Sequence, residues 1–279
     1  MTGLLEDEAG DIIRKARTGL GFTTGQAAEK TGLPVSVLEE IESCKHTPTQ
    51  QETGLLARVF CLDPAKLYEI ATGLWHPEEP SQDLLSEVVI IEGSMGSYKV
   101  NGYILIDKPS GEAAAFDTAN DSKKVLEALH KRGGRLKYLF LTHCHMDHTG
   151  GLEGIFKATE AGIGIPEGEA SIGFGIGMQR GVFYVKNDSE FSLGQRKIRS
   201  VVISGHTQGS ICYITRNYCF SGDTLFAGSV GRAYSPEAYR DLLHSLRTRI
   251  LSLNEGVHIF PGHGPVTTVG EEKRHNPFF

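Results

Sequence analysis

Four potential metal ligands, His143, His145, Asp147 and His148, fall within six residues and are followed by the pair Gly150-Gly151. The run before them, Leu136 to Leu141, is apolar and aromatic and reads as a buried strand. The histidines therefore sit on the loop leaving the carboxyl end of a strand, where open α/β sheets place their sites. Their spacing suits neither a helical nor a strand face. It suits ligation of one or two metal ions, since imidazole and carboxylate are donors that zinc, iron and manganese all accept.

The rest of the chain divides by hydrophobic period. Up to about Gly73 apolar positions recur at three and four, and Gly25 to Glu42 reads as two short helices around a glycine-containing turn, a helix-turn-helix arrangement. Trp75 to Asp83, with two prolines and several polar residues, reads as an exposed linker. Beyond it the period switches to short strands at Val88–Ile91, Tyr103–Ile106, Ala113–Phe116, Val182–Val185, Ile198–Ile203, Ile211–Thr215 and Tyr218–Ser221, with a last strand at Val257–Phe260. Helices are expected at Ser122–Lys131 and Pro236–Leu251, and the glycine-rich stretch from Gly162 to Gly181 as a mobile loop. Strands mixed with helices imply a layered α/β domain. The boundaries expected are 1–74 for a helical domain, 75–86 for the linker and 87–279 for the catalytic domain.

Three further candidates stand at strand-to-loop junctions among glycines: His206 in Gly205 to Ser210, Asp223 in Ser221 to Phe226, and His263 in Pro261 to Pro265. With these residues the chain resembles the metallo-β-lactamase fold superfamily, and within it the short glyoxalase II-like hydrolases. The resemblance covers about residues 87–279. It implies a four-layer αββα sandwich preceded by the small all-α domain. It also implies that His143, His145 and His206 hold a first metal, that Asp147, His148 and His263 hold a second, and that Asp223 bridges both. Two divalent ions, zinc foremost and iron or manganese otherwise, would lower the pKa of a shared water and polarise a carbonyl. Hydrolysis of a thioester, ester or lactone follows, with Asp147 orienting the hydroxide and handling its proton. Arg232, which follows the family's GDTLFxGxxGR run, would contact an anionic small-molecule substrate or tie its own loop down. Cys144, between two ligands, is expected to pack away from the metals.

Two departures bear on the substrate. Glutathione-thioester hydrolases carry an extra helical domain after the last metal histidine, and only sixteen residues follow His263 here. The similar persulfide dioxygenases bind a single iron through the equivalents of His143, His206 and Asp223, which makes oxygen chemistry the alternative; Asp223 to Phe226 and Pro261 to Gly264 favour hydrolysis.

The run from Ile13 to about Gly73 resembles the Cro/repressor-type helix-turn-helix domain, with Ser36, Lys45 and His46 as candidate DNA contacts. Between Met1 and Trp75, however, seven basic side chains face eleven acidic ones, and Glu39 and Glu40 lie on the helix that would enter the major groove. An enzyme whose helical module serves dimerisation, gating or stability is favoured over a metabolite-responsive DNA-binding regulator. The net charge of −6 also argues against nucleic acid as main partner. The acidic amino terminus and the lack of any long apolar run argue against a membrane partner and for a cytoplasmic protein. Five widely spaced cysteines without a CxxC pair fit a reducing compartment.

Overall fold

The computed structural model describes residues 4–170 and 181–279. It opens with five helices, α1 (Ala9–Gly19), α2 (Thr24–Thr31), α3 (Val35–Glu42), α4 (Gln50–Phe60) and α5 (Pro64–Ala71). Their ends follow local chemistry. Thr23 and Gln26 form a reciprocal cap on α2, Thr49 and Glu52 one on α4, and Asp63 caps α5 ahead of Pro64. Gly32, at φ 76°, ends α2 in the left-handed conformation and turns the chain into α3. Arg17 of α1 holds Glu42 of α3 through two hydrogen bonds, at 2.5 and 2.8 Å.

A short helix, α6 (Gln82–Glu87), leads into β1 (Val88–Met95), β2 (Tyr98–Asp107) and β3 (Glu112–Phe116). Then come α7 (Ser122–Arg132), β4 (Arg135–Phe140), α8 (Met146–Thr149), α9 (Leu152–Ala158), β5 (Gly162–Pro166) and β6 (Val182–Val185). Strands β1 to β6 form one sheet in sequence order. The second sheet holds β7 (Glu190–Leu193), β8 (Arg196–Val202), β9 (Ile211–Thr215), β10 (Tyr218–Gly222), β13 (His258–Pro261) and β14 (Thr267–Thr268), ordered β14-β13-β10-β9-β8-β7. Between β10 and β13 lie a small hairpin, β11 (Leu225–Phe226) and β12 (Ser229–Val230), and α10 (Pro236–Ser245); α11 (Val269–His275) closes the chain.

The layers follow from three apolar clusters. Phe116, Phe140, Tyr213, Phe220 and Phe260 fill the space between the sheets, with Phe116 and Phe220 stacked at 3.7 Å. Val125, Leu129, Leu152 and Ile155 pack α7 and α9 on the outer face of the first sheet. On the outer face of the second, Tyr239, Leu242 and Leu246 share one buried cluster with Ile12, Ile13, Leu56, Phe60 and Leu67 of the leading helices. This is the αββα sandwich, with a small all-α unit packed against one of its outer layers.

Several expectations need correction. The stretch from Gly162 is not wholly loop: Gly162–Pro166 is strand β5, parallel to β4. Its glycines leave room for aromatic neighbours, since a Cβ on Gly164 would stand 2.8 Å from Phe140 Cδ1. Residues 171–180 of that stretch lie outside the described residues. The strand at β13 is not the last, because β14 pairs with it before α11. The helix expected to run to Leu251 changes at Leu246 into a wider π turn. Trp75 is buried rather than exposed and stacks on His275 with centroids 4.9 Å apart.

Candidate metal centre

The carboxyl ends of β4, β10 and β13 converge at one edge of the sandwich, and the polypeptide sews the two sheets together there. Asn101 of β2 donates its backbone N–H to Gly262 O and its side chain to Gly264 O, Tyr103 donates to Pro261 O, and Ile211 N–H donates to Thr142 O. Into this edge project His143 and His145 from the loop after β4, Asp147 and His148 from α8, His206 from the β8–β9 loop, Asp223 from the end of β10 and His263 from the end of β13.

The seven candidate ligands come together as two groups: His143, His145, His206 and Asp223, and Asp147, His148 and His263, each with its donor atoms within 4.8 Å of one another. In the first, His145 Nδ1 stands 3.0 Å from His143 Nε2 and 3.1 Å from His206 Nε2. Donor atoms on a tetrahedral ion with bonds of 2.0–2.1 Å would be about 3.3 Å apart, so these nitrogens are near ligand spacing. Asp223 lies between the groups: Oδ2 is 3.5 Å from His206 Nε2 and 3.4 Å from His263 Nε2, and Oδ1 is 3.2 Å from His148 Nε2. The approach is close enough that a Cβ on Gly262 would fall 2.2 Å from Asp223 Oδ1.

Four rings are fixed from behind. His148 Nδ1 donates to Asp117 Oδ2 at 2.8 Å, His206 Nδ1 to Arg232 O at 3.0 Å, His143 Nδ1 to Thr142 Oγ1 at 3.1 Å, and His263 Nδ1 to Lys99 O. Each leaves Nε2 aimed inward, the arrangement by which outer partners set the tautomer of a ligating histidine. Among the described residues His148 Nε2 and Asp223 Oδ1 are buried without a hydrogen-bond partner. Buried polar atoms are almost always satisfied, so this pair of orphans fits an ion better than an empty interior.

Charge sharpens the fit. Burial pushes His148 and His263 down, but Asp223 and Asp117 around the first, and Asp147 and Asp223 around the second, outweigh it and raise them to about 10 and about 11 in the metal-free chain. His143 and His206 are held below the usual histidine range, both chiefly by burial. A ligating imidazole must be deprotonated. The second group therefore has to shed protons to accept an ion, and its affinity should climb with pH until these histidines are neutral. Loading it at pH 8 should release about two protons, and loading the first group fewer. Calorimetry in two buffers of unlike ionisation enthalpy would count them; equal release at both groups would contradict the asymmetry.

Asp117 and Thr142 went unrecognised in the sequence. Asp117 accepts from Thr142 N–H, Thr142 Oγ1 and His148 Nδ1, at 2.7–2.8 Å, while its own backbone adopts φ 57°. The one available signal was a carboxylate directly after the apolar strand β3. Asp117→Asn should weaken metal affinity by roughly 10–100-fold, the usual cost of losing such an outer partner; unchanged affinity in a metal titration would refute that role.

Of the other candidates, Arg232 meets the centre through its carbonyl, and its exposed guanidinium lies 5.3 Å from the Tyr234 ring. Cys144 is buried in the apolar cluster behind the first sheet, where burial and Glu169 push its thiol up. Ser36 and Lys45 are exposed in the helical unit, and His46 is half-buried there with Nε2 3.0 Å from Glu52.

Residues 99–263 match the family described as the metallo-beta-lactamase superfamily, so helices α1 to α5 lie outside the match. The hydroxyacylglutathione hydrolase GloC of Haemophilus influenzae is 31% identical over 183 residues, 60% of this chain and 86% of that enzyme. The probable metallo-hydrolase YqgX of Bacillus subtilis is 28% identical over 201 residues, 66% of this chain and 94% of its own. The B3 metallo-β-lactamase BLEG-1 superposes with a TM-score of 0.59 at 26% identity, over 68% of this chain and 99% of that one. The di-iron-bound form of TTHA1623 gives 0.57 at 26% identity, over 68% and 100%.

Proposed function

The chain belongs to the metallo-β-lactamase superfamily and is a hydrolase with a dinuclear metal-binding site, and from that premise we propose that it cleaves a thioester or another activated ester. The observation that carries this reading is the pair of ligand groups meeting at Asp223, with His148 Nε2 and Asp223 Oδ1 left bare between them. The names of its relatives lend support, since hydroxyacylglutathione hydrolases recur among the similar proteins.

Zinc is the ion proposed, and the same imidazole-carboxylate set would hold iron or manganese. Such ions supply Lewis acidity, lowering the pKa of a water and polarising the scissile carbonyl. The chain's own residues do the rest. Asp223 fixes the separation of the two groups, and the acceptors behind His143, His148, His206 and His263 keep their Nε2 atoms on target. Asp147 is half-buried with Oδ2 3.3 Å from His263, and although burial pushes its carboxyl up, His263 and His148 hold it below the usual range. It is therefore charged near neutral pH and suited to orient the attacking water and take up its proton. Arg232 and Tyr234 stand exposed beside His206, where they can hold the departing part of the substrate.

The helical unit we read as a helix-turn-helix in shape and as part of the enzyme in use. Exposed Glu39 and Glu40 on α3 would repel phosphates, so no DNA contact is assigned to Ser36, Lys45 or His46. Among the described residues no helix is long and apolar enough to cross a membrane. The five free cysteines support a reducing compartment such as the cytoplasm.

Metal analysis of protein purified without chelator or added metal tests the proposal. About two zinc, manganese or iron ions per chain, together with turnover in a thioester and lactone screen, is the expected result. One iron per chain with oxygen consumption on a persulfide would overturn it in favour of the dioxygenase alternative.

A further inference from the structure

The helical unit meets the metal centre through the β11–β12 hairpin. Strand β11 follows Asp223, and β12 leads back to Gly231 and Arg232, whose carbonyl accepts from His206 Nδ1 at 3.0 Å. The roots of the hairpin are closed tightly. Gly231 N–H donates to Thr224 O, and a Cβ on Gly231 would fall 1.8 Å from Asp223 O and 3.2 Å from His206 Cβ. Within β11 the buried Phe226 ring meets the ring of His263 edge-on, with centroids 6.0 Å apart. A displacement of the hairpin is therefore felt in both ligand groups, at His206 and at His263, and at the carboxylate between them.

Two clamps hold it. On one side α11 grips the turn: both carboxylate oxygens of Glu272 accept from Gly228 N–H, at 3.2 and 3.1 Å, and Asn276 Nδ2 donates to Ser229 O. On the other side stands Lys15 of α1. Its Nζ donates to Val230 O at 2.9 Å and lies 4.8 Å from the centre of the Phe226 ring, so one ammonium engages both strands. Lys15 is in turn paired with Asp7, and the two side chains are only 14% and 9% exposed. Charges in such a place are costly to desolvate, and a well-packed apolar pair often matches or exceeds the stability of a buried ion pair. Stability alone thus gives weak reason for a lysine here, whereas a donor to Val230 O that also sits on Phe226 gives a geometric one.

We propose that Lys15 is a positioning residue for the metal centre, holding the β11–β12 hairpin so that His206, Asp223 and His263 keep ligand spacing. The helical unit, which lies outside the residues that match the family, is by this contact a working part of the centre. The inference rests on the dinuclear metal-binding site and needs no substrate, so it stands or falls separately from the thioesterase reading.

Cobalt(II) titration of the full chain stripped of metal tests it, because cobalt accepts the same imidazole-carboxylate donors and its visible absorption reports their number and geometry. Lys15→Met/Asp7→Leu removes the clamp without leaving a buried charge unpaired, while Glu272 still holds the turn, so this variant is expected to melt near the wild-type temperature. It should nevertheless bind cobalt about tenfold more weakly, the lower end of the cost of losing an outer partner, and with a shifted spectrum. Lys15→Arg keeps a donor for Val230 O and a cation for the Phe226 ring, and should hold both readouts at wild-type values. A merely structural role would lower the melting temperature and leave the affinity and spectrum of the folded protein as they are, and that result would overturn the proposal. Should the double variant not fold, Phe226→Leu decides in its place. With the ion pair intact it should still shift the spectrum, and an unchanged spectrum would overturn the route from Lys15 to His263. Wild-type protein that takes up no cobalt would instead count against the metal centre itself, and against this role with it.

Discussion

Asp223→Ala is expected to abolish turnover and to deplete both metal positions at once. This carboxylate lies between the two groups of histidines, its two oxygens within 3.2–3.5 Å of His148, His206 and His263. Although burial pushes its carboxyl up, His148 and His263 hold it well below the usual range, so it is charged across the working pH. Alanine removes that charge and leaves the histidines facing a void. The loss should exceed the roughly 10²–10³-fold that removing a single transition-state donor costs. Steady-state rates paired with metal analysis would check it; a variant that keeps two ions and measurable turnover would show that Asp223 is not the shared ligand.

His263→Ala should spare the group around His143 yet stop hydrolysis. Its Nε2 stands 3.3 Å from Asp147 and 3.4 Å from Asp223, so its loss opens the second group alone. The rate should fall by more than the roughly 10–100-fold typical of losing an outer partner, with about one ion per chain remaining. Near-wild-type activity in a variant of verified metal content would overturn the two-ion reading and return attention to chemistry at the first group only.

Much of the centre could be read before folding because its ligands come in short local runs, each directly after an apolar strand, and such runs survive any arrangement of the strands. The sheet strands from Val88 to Phe116 were visible for a related reason, being β-branched or apolar and bounded by turn residues. Asp117 was hidden because its role exists only once β3 lies beside β4 and brings it to Thr142 and His148. Glycines misled at β5, where a loop composition serves a crowded sheet instead.

The packing of the leading helices against the end of the chain has a consequence for synthesis. Asp63 N–H donates to Pro277 O, Lys66 Nζ to Lys273 O and Phe279 O, and Trp75 stacks on His275, while Phe278 joins the same buried cluster as Ile12 and Phe60. The leading helices are thus completed by residues made much later in synthesis, Lys66 and Lys273 being 207 positions apart. At elongation rates of 5–20 residues per second, their apolar face waits roughly 10–40 s for its partner. That interval is when the nascent protein is most exposed to aggregation, and when a chaperone that shields apolar helices would matter most to its yield.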